Sequence, residues 1–281
     1  MKSNSTLKPS SPSSKTISWQ RLTSALGWTR SSYLLLSVFL ATLFVIGVVW
    51  WPLVEETLAY IDWRYPLWLQ LDWLLFGIFA AMSLLIMAGA DLKVDVLIVL
   101  VGLAGGLVIE SWGTQTQLWT YYTFERPPLW IIPAWPIASL AIDRLFRALR
   151  RLTVAVRPNV FRYLYWVVFL LFYALMVNFV WPTLNKSFTW IALLMCAGLI
   201  LTPTDYRLAV LTFMAGSGLG YFLEVWGTTR ECWTYYTQQT PPVFAVFAHG
   251  MAAVAFWRVG RMVIGRWRLV VGRSGLGIFD C

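Results

Sequence analysis

The sequence predicts an all-α, polytopic membrane protein with about eight transmembrane helices in two parallel four-helix repeats. Of its 281 residues, 59% are hydrophobic and only 12% are charged, whereas about 25% of the residues in a soluble domain carry a charge. The chain also contains eight apolar stretches, most of them near the roughly 20 residues that cross a hydrocarbon core of about 30 Å. A 19-residue stretch occurs twice, which indicates an internal duplication.

The apolar stretches follow a tail that is rich in Ser, Pro, Thr, Lys and Arg. Residues 1–30 contain no acidic residue, which is typical of a basic, disordered tail. The first apolar stretch is too long for the core of a signal peptide, and no small-residue cleavage site follows it, so we predict an uncleaved first span. The predicted spans are 33–54, 68–90, 94–112, 129–146, 163–182, 188–203, 208–227 and 243–261.

Basic residues are divided unequally between the two ends of the predicted spans. Eighteen Lys and Arg residues fall at the end that carries both termini, and four fall at the other end: Arg64, Arg126, Lys186 and Arg230. This imbalance predicts cytoplasmic N- and C-termini and is consistent with a bacterial inner membrane. The basic residues alternate with apolar spans and form no continuous stripe, so the net charge of +9 does not indicate a nucleic-acid partner.

The duplicated stretch covers residues 110–128 and 224–242, with 11 of 19 positions identical and no gap. The same offset of 114 residues pairs Asp91 with Asp205. Each predicted repeat has an even number of spans, so the symmetry axis is expected along the membrane normal. After the tail, the predicted organisation is a first repeat over 31–147, a basic linker over 148–162, a second repeat over 163–261 and a basic tail over 262–281.

Two glutamates, Glu110 and Glu224, are predicted in the last turns of spans three and seven. The helix C-terminus is partly negative and the surroundings are partly dehydrated, and both conditions oppose ionisation of a carboxyl group. In one interpretation each glutamate is a catalytic proton donor or acceptor, or a cation ligand. In the other, each accepts hydrogen bonds that tie its own loop to the helix. The sequence leaves both interpretations open.

The segment Trp-Thr-Tyr-Tyr-Thr follows each glutamate at the outer interface. Anchoring at an interface needs only scattered aromatic residues, so the same order in both copies indicates either a shared loop structure or direct contact with a ligand. The predicted substrate-binding residues are Trp119, Tyr121, Tyr122, Trp233, Tyr235 and Tyr236.

The two copies diverge beyond their proline pairs, which are predicted to begin spans four and eight. At equivalent positions the first copy has Trp135, a further predicted binding residue, and the second has His249. His249 is the only histidine of the chain, and an intramembrane histidine is by default a functional candidate. We therefore predict a catalytic role for it, with a simple hydrogen bond to a neighbouring helix as the alternative.

Other polar and small residues receive structural predictions. Asp72 is expected to form a salt bridge with Lys186, its equivalent in the second repeat. Arg126 and Arg230 are expected either to act as counter-ions of the two glutamates or to meet lipid headgroups. The glycines of spans three and seven permit close helix approach, which predicts that these two spans are central and touch each other.

The sequence contains no phosphate loop, dinucleotide fingerprint, serine-nucleophile elbow or metal-binding cluster of His and Cys. Its three cysteines, Cys196, Cys232 and Cys281, suggest no disulfide framework. We therefore predict neither a cofactor nor a metal.

A family resemblance is carried by Glu-x-x-Gly-Thr at 110–114, Trp-x-Tyr-Tyr at 119–122 and Pro-x-Trp at 133–135. This pattern resembles a motif of integral membrane carotenoid hydratases. The resemblance implies that a carboxylic acid protonates an isoprenoid double bond and that water or another nucleophile captures the carbocation. Glu110 would be the proton donor, with Glu224, His249 and the tyrosine pairs as secondary candidates.

Three hypotheses about function follow. The first is an enzyme that acts on a membrane lipid or isoprenoid by acid-base chemistry without a soluble cofactor. The second is a small-solute or proton-coupled transporter, which the repeats and the intramembrane acids suggest. The third is a non-catalytic membrane scaffold or assembly protein in which both motifs are loop staples. The sequence predicts no particular oligomeric state.

Overall fold

The fold is taken from a computed structural model that describes residues 23, 24 and 26–271, and the side chains among these up to residue 263. Most of the predicted N-terminal tail and the end of the C-terminal tail, with Cys281, lie outside the described residues. The described chain forms ten α-helices: α1 Arg30–Val49, α2 Trp51–Ala59, α3 Leu67–Gln70, α4 Trp73–Met87, α5 Leu92–Thr116, α6 Ala134–Leu152, α7 Pro158–Val180, α8 Ser187–Leu201, α9 Tyr206–Thr229 and α10 Val243–Val271.

Five of these helices are long and apolar enough to cross a membrane: α1, α5, α7, α9 and α10. The apolar helices α4 and α8 are shorter, with 15 residues each. Helix α6 is amphipathic because its second half carries four arginines among apolar residues. An all-helical membrane protein, as predicted, fits this set of helices.

Several predicted helix boundaries differ from the structure, and proline explains two of the differences. The first span ends at Val49, and the next helix begins at Trp51 with Pro52 in its first turn, where proline's missing N–H costs no helical hydrogen bond. The proline pair at 127 and 128 does not begin a helix, because the chain continues through turns to α6 at Ala134. There Pro136 occupies the first turn. In the second copy, α10 does begin directly after Pro242.

Helices α5, α6, α9 and α10 form the centre of the fold. Helix α9 packs most extensively against α10 and also against α6, while α5 packs against α6 and α10. The prediction that the glycines serve mainly to bring α5 and α9 into contact with each other is therefore wrong. A Cβ at Gly106 would overlap Trp135, and one at Gly220 would overlap His249, so these glycines admit side chains of α6 and α10.

A short antiparallel ladder links the two loops that follow α5 and α9. Strand β1, Trp119–Tyr121, pairs with β2, Trp233–Tyr235, and Thr120 lies opposite Thr234. Aromatic and β-branched residues suit such extended backbone. The ladder was not predicted. It places the two copies of the aromatic segment side by side, just after the C-terminal ends of α5 and α9.

Candidate functional site

Both glutamates lie on the last two turns of a long central helix. Each is only 4% exposed. The threonine one turn later, Thr114 or Thr228, donates its hydroxyl to the backbone carbonyl of the same glutamate at 2.6 Å. This hydrogen bond ties the threonine side chain to the helical turn that carries the glutamate.

The loop after each helix folds back onto that helix. Gln117 and Glu231 adopt left-handed backbone angles, with φ of 63° and 54°, and so reverse the chain. The returning tryptophan, Trp119 or Trp233, then lies where a Cβ on Gly113 or Gly227 would overlap its ring. Glycine at these positions is what allows the indole to reach the glutamate.

Glu110 is held by two indole N–H groups. Trp119 donates from Nε1 to Oε2 at 3.1 Å, and Trp135 donates from Nε1 to Oε1 at 3.1 Å. Both carboxyl oxygens therefore have a donor, one from the loop and one from α6.

Glu224 is bound by the matching loop tryptophan on one oxygen and by different partners on the other. Trp233 donates from Nε1 to Oε2 at 3.0 Å, and the Tyr235 hydroxyl donates to Oε1 at 2.9 Å. His249 Nε2 lies 2.9 Å from the same Oε1. Among the described residues, neither Glu224 nor Glu110 forms an ion pair with Lys or Arg.

The two centres meet in one cavity of about 1120 Å³. This exceeds the roughly 300 to 1,000 Å³ of most small-molecule pockets. The cavity is walled by α1 and by α4 to α10, and its lining is hydrophobic or aromatic except for a few polar side chains: Glu110, Ser111, Gln115, Glu224 and His249. A cavity with this volume and this lining suits a large, apolar ligand.

Eight of the ten predicted site residues line this cavity. They are Glu110, Trp119, Tyr121, Trp135, Glu224, Trp233, Tyr235 and His249. The other two lie outside its lining. Tyr122 packs beside Trp130, and the Tyr236 hydroxyl donates to the Phe179 carbonyl at 2.7 Å. The first tyrosine of each pair ends its strand and lies on the same side as the tryptophan two positions earlier, because side chains alternate along a strand. The second tyrosine lies beyond the end of the strand.

The predicted pairing of Asp72 with Lys186 is wrong. Asp72 accepts from Trp226 Nε1 and from Arg230 Nε, each at 2.9 Å. The Lys186 ammonium donates to the Thr116 carbonyl at 2.8 Å. Each of the two residues thus meets the end of the central helix of the other half, because α4 lies beside α9 and α8 beside α5. The same contact shows that Arg230 is not a counter-ion of Glu224. Among the described residues, Arg126 has no ion pair with either glutamate.

Two further tryptophans of the repeated motif line the cavity, and sequence reasoning did not single them out. Trp226 donates to Asp72, whereas its equivalent Trp112 has a buried Nε1 without a partner among the described residues. The reason is the exchange of Asp72 for Lys186, since an ammonium group cannot accept a hydrogen bond. The identical position of these tryptophans in both copies was the signal that could have indicated them.

No family model, curated protein or solved structure matches this chain. Within the described residues, no group of three or more His, Cys, Asp or Glu side chains could hold a metal ion. The functional interpretation therefore depends on the geometry of the paired glutamates and their cavity.

Proposed function

We propose that the protein is a membrane enzyme that performs acid-base chemistry on a lipid or isoprenoid double bond. The observation that carries this proposal is that two buried carboxyl groups without Lys or Arg partners line one aromatic cavity, in the described part of the chain. Such groups are expensive to bury and are functional candidates by default in a membrane. Their surroundings fit a substrate without charge.

In this proposal Glu110 is the general acid. Its proton forms a new C–H bond with one alkene carbon, and the π electrons leave a carbocation at the other. The two indole N–H groups then stabilise the carboxylate that remains. Aromatic ring faces near the cavity, including Trp119 and Tyr121, favour the positive charge of the intermediate.

Glu224 and His249 supply the base. A water molecule attacks the carbocation and His249 takes one of its protons, while Glu224 orients the imidazole and stabilises its positive charge, the role of the carboxylate in a catalytic triad. The net reaction adds water across the double bond. The enzyme is restored when His249 releases its extra proton to water and Glu110 takes up a proton from water. The reverse sequence is a dehydration.

We also propose the finer architecture: eight spans in two parallel four-helix repeats with cytoplasmic termini in a bacterial inner membrane. The matched contacts of Glu110 and Glu224 support the duplication, as do the reciprocal contacts of Asp72 and Lys186. The distribution of basic residues supports the orientation.

The test is a lipid and pigment profile of cells that express the chain or its E110Q variant. We expect a product that gains the mass of one water molecule with the wild type and none with E110Q. Membranes that contain the protein, incubated in heavy water with a lipid extract made in ordinary water, should place one deuterium on the protonated carbon of the product. The matched control is E55Q, which changes an exposed carboxyl group on α2. An unchanged profile with folded wild-type protein would overturn the proposal.

A specific observation favours a second function, that of a non-catalytic scaffold. Trp119 and Trp233 each follow the helix that carries their glutamate, so both carboxyl groups also tie the returning segment to its helix. If E110Q and E224Q lose the fold together, the scaffold is favoured. If both variants fold and only the lipid profile changes, the enzyme is favoured.

A further inference from the structure

The connection between α6 and α7, at the end of the bundle opposite the paired glutamates, exposes apolar and basic side chains together. Leu152 is 81% exposed and Val154 is 72% exposed. Four arginines flank them on both sides: Arg150, Arg151, Arg157 and Arg162. We call this surface, residues 150–162, the arginine turn.

The arginine turn is an ordered part of the fold. Arg207 of α9 donates from Nη2 to the Arg150 carbonyl at 3.2 Å and to the Thr153 hydroxyl at 3.4 Å. Its guanidinium group also lies over the Phe161 ring. The backbone N–H of Val156 donates to the Thr153 carbonyl at 3.1 Å. The exposed leucine and valine are therefore held outward by the structure around them.

The acidic side chains at this end of the bundle already have hydrogen-bond or ion-pair partners. Asp95 pairs with Arg144 at 2.7 Å, and Asp143 pairs with Arg144 and Arg147. Asp91 and Asp205 accept from backbone N–H groups at the starts of α5 and α9.

The four arginines of the turn consequently have no ion pair within the described residues. The segments outside the description contain too few acidic side chains to neutralise all four. Residues 1–22 contain no acid, and Asp280 is the only acid after residue 263.

We propose that the arginine turn binds the headgroups of anionic phospholipids. The guanidinium groups hold phosphate oxygens, for which their planar donors are suited, while Leu152 and Val154 insert among acyl chains. Basic residues around an apolar tip are the combination that binds an anionic membrane surface. A nucleic acid or a soluble anion would use the arginines but leave the apolar tip in water.

The experiment titrates the purified full chain, in a neutral detergent, with dioleoyl phosphatidylglycerol or dioleoyl phosphatidylcholine and counts bound lipids by native mass spectrometry. We expect phosphatidylglycerol to bind more tightly than phosphatidylcholine. The variant R151Q/R157Q should weaken phosphatidylglycerol binding by about thirtyfold and leave phosphatidylcholine binding unchanged, because each arginine near an anionic surface contributes about 1 kcal/mol. Both side chains are exposed, so we expect the variant to fold.

The matched control is R64Q/R126Q, which removes two exposed arginines at the other end of the bundle. Equal losses in the two variants, or no loss in R151Q/R157Q, would overturn the proposal. The charge-retaining R151K/R157K should lose less binding than R151Q/R157Q, because it keeps the positive charges and loses only the planar donors. Displacement of the lipid by millimolar inorganic phosphate would identify a site for free phosphate. Retention of binding in L152S/V154S would show that Leu152 and Val154 do not contribute to lipid binding. Either result would also overturn the proposal.

Discussion

Trp135 and His249 stack on each other, with ring centroids 5.6 Å apart and ring planes 17° from parallel. They occupy the same position in the two copies of the duplicated sequence. Each ring also presents a nitrogen to the glutamate of its own copy. Glu110 and Glu224 are therefore connected through this aromatic pair. Trp119 and Tyr235 form a second connection, since each donates to one of the two glutamates and their ring centroids lie 5.9 Å apart.

The two rings should contribute unequally to stability. Trp135→Phe keeps an aromatic ring but leaves Glu110 Oε1 without its donor, which should lower the free energy of unfolding by about 1 to 3 kcal/mol. His249→Phe should cost less, because the Tyr235 hydroxyl still donates to Glu224 Oε1. Unfolding by denaturing detergent measures both variants.

The control for this comparison is Trp190→Phe, which removes an indole donor from an exposed position on α8. We expect it to have little effect on unfolding. A larger loss for His249→Phe than for Trp135→Phe would contradict the assignment of hydrogen bonds at the two glutamates.

Glycine at two helix positions determines whether the tryptophans reach the glutamates. Gly113→Ala and Gly227→Ala each place a methyl group in the volume of an indole ring, and overpacking of this kind costs about 1 to 3 kcal/mol. The ring must move away, so the hydrogen bond from Trp119 or Trp233 to its glutamate should be lost as well. Thermal unfolding and a shift in tryptophan fluorescence check this expectation.

Gly218→Ala is the matched control, since nothing lies within 4 Å of a Cβ at this position on α9. Alanine favours a helix over glycine by up to about 1 kcal/mol, so Gly218→Ala should be neutral or stabilising. Equal destabilisation by all three substitutions would mean that loss of helix flexibility, and not a clash with the indoles, is responsible.

The sequence predicted the elements of the candidate site because the duplication marked them. A glutamate, a glycine and a tryptophan at fixed spacing recur in both copies, and their contacts are local, within nine positions along the chain. The helices that carry these residues were predicted from the length of the apolar stretches in the sequence. Those parts of the site needed no knowledge of how the two halves pack.

Contacts between the halves were not predictable in the same way. Asp72 was assigned to Lys186 because they are equivalent in the repeat. Equivalence in the sequence does not by itself bring two residues into contact. Thr120 and Thr234 are equivalent and lie opposite each other in the ladder, whereas Asp72 meets Arg230 and not its equivalent Lys186.

Asp72 should contribute more to stability than an ordinary helix cap. Its side chain accepts from the backbone N–H groups of Leu74 and Leu75, and also from Trp226 and Arg230 of the other half. Asp72→Ala should therefore cost about 2 kcal/mol, against about 1 kcal/mol for loss of a cap alone.

Asp205→Ala provides that reference, because Asp205 caps α9 through Leu208 and has no other side-chain hydrogen bond among the described residues. Both variants are compared by denaturant unfolding. If they lose equal stability, the contacts of Asp72 with Trp226 and Arg230 contribute nothing measurable.

The thiol of Cys232 should be unreactive at neutral pH. Cys232 lies in the loop between α9 and β2, where burial raises its pKa to about 11, and the nearby Asp72 carboxylate acts in the same direction. Only the thiolate attacks a maleimide. At pH 8 a thiol with this pKa is about a hundredfold less ionised than one with a pKa near 9, so modification of Cys232 should be slow and should accelerate about tenfold per pH unit up to pH 10.

The measurement uses a variant in which Cys196 and Cys281 are replaced by serine, so that Cys232 is the single thiol. Mass spectrometry follows its modification by N-ethylmaleimide between pH 7 and pH 10. In the same background Asp72→Asn removes the negative charge, which should lower the pKa of Cys232 and increase the rate at pH 8. If the rate is already that of a free thiol at pH 7 in folded protein, the loop does not shield Cys232, and the buried placement of the adjoining Trp233 would also be in question.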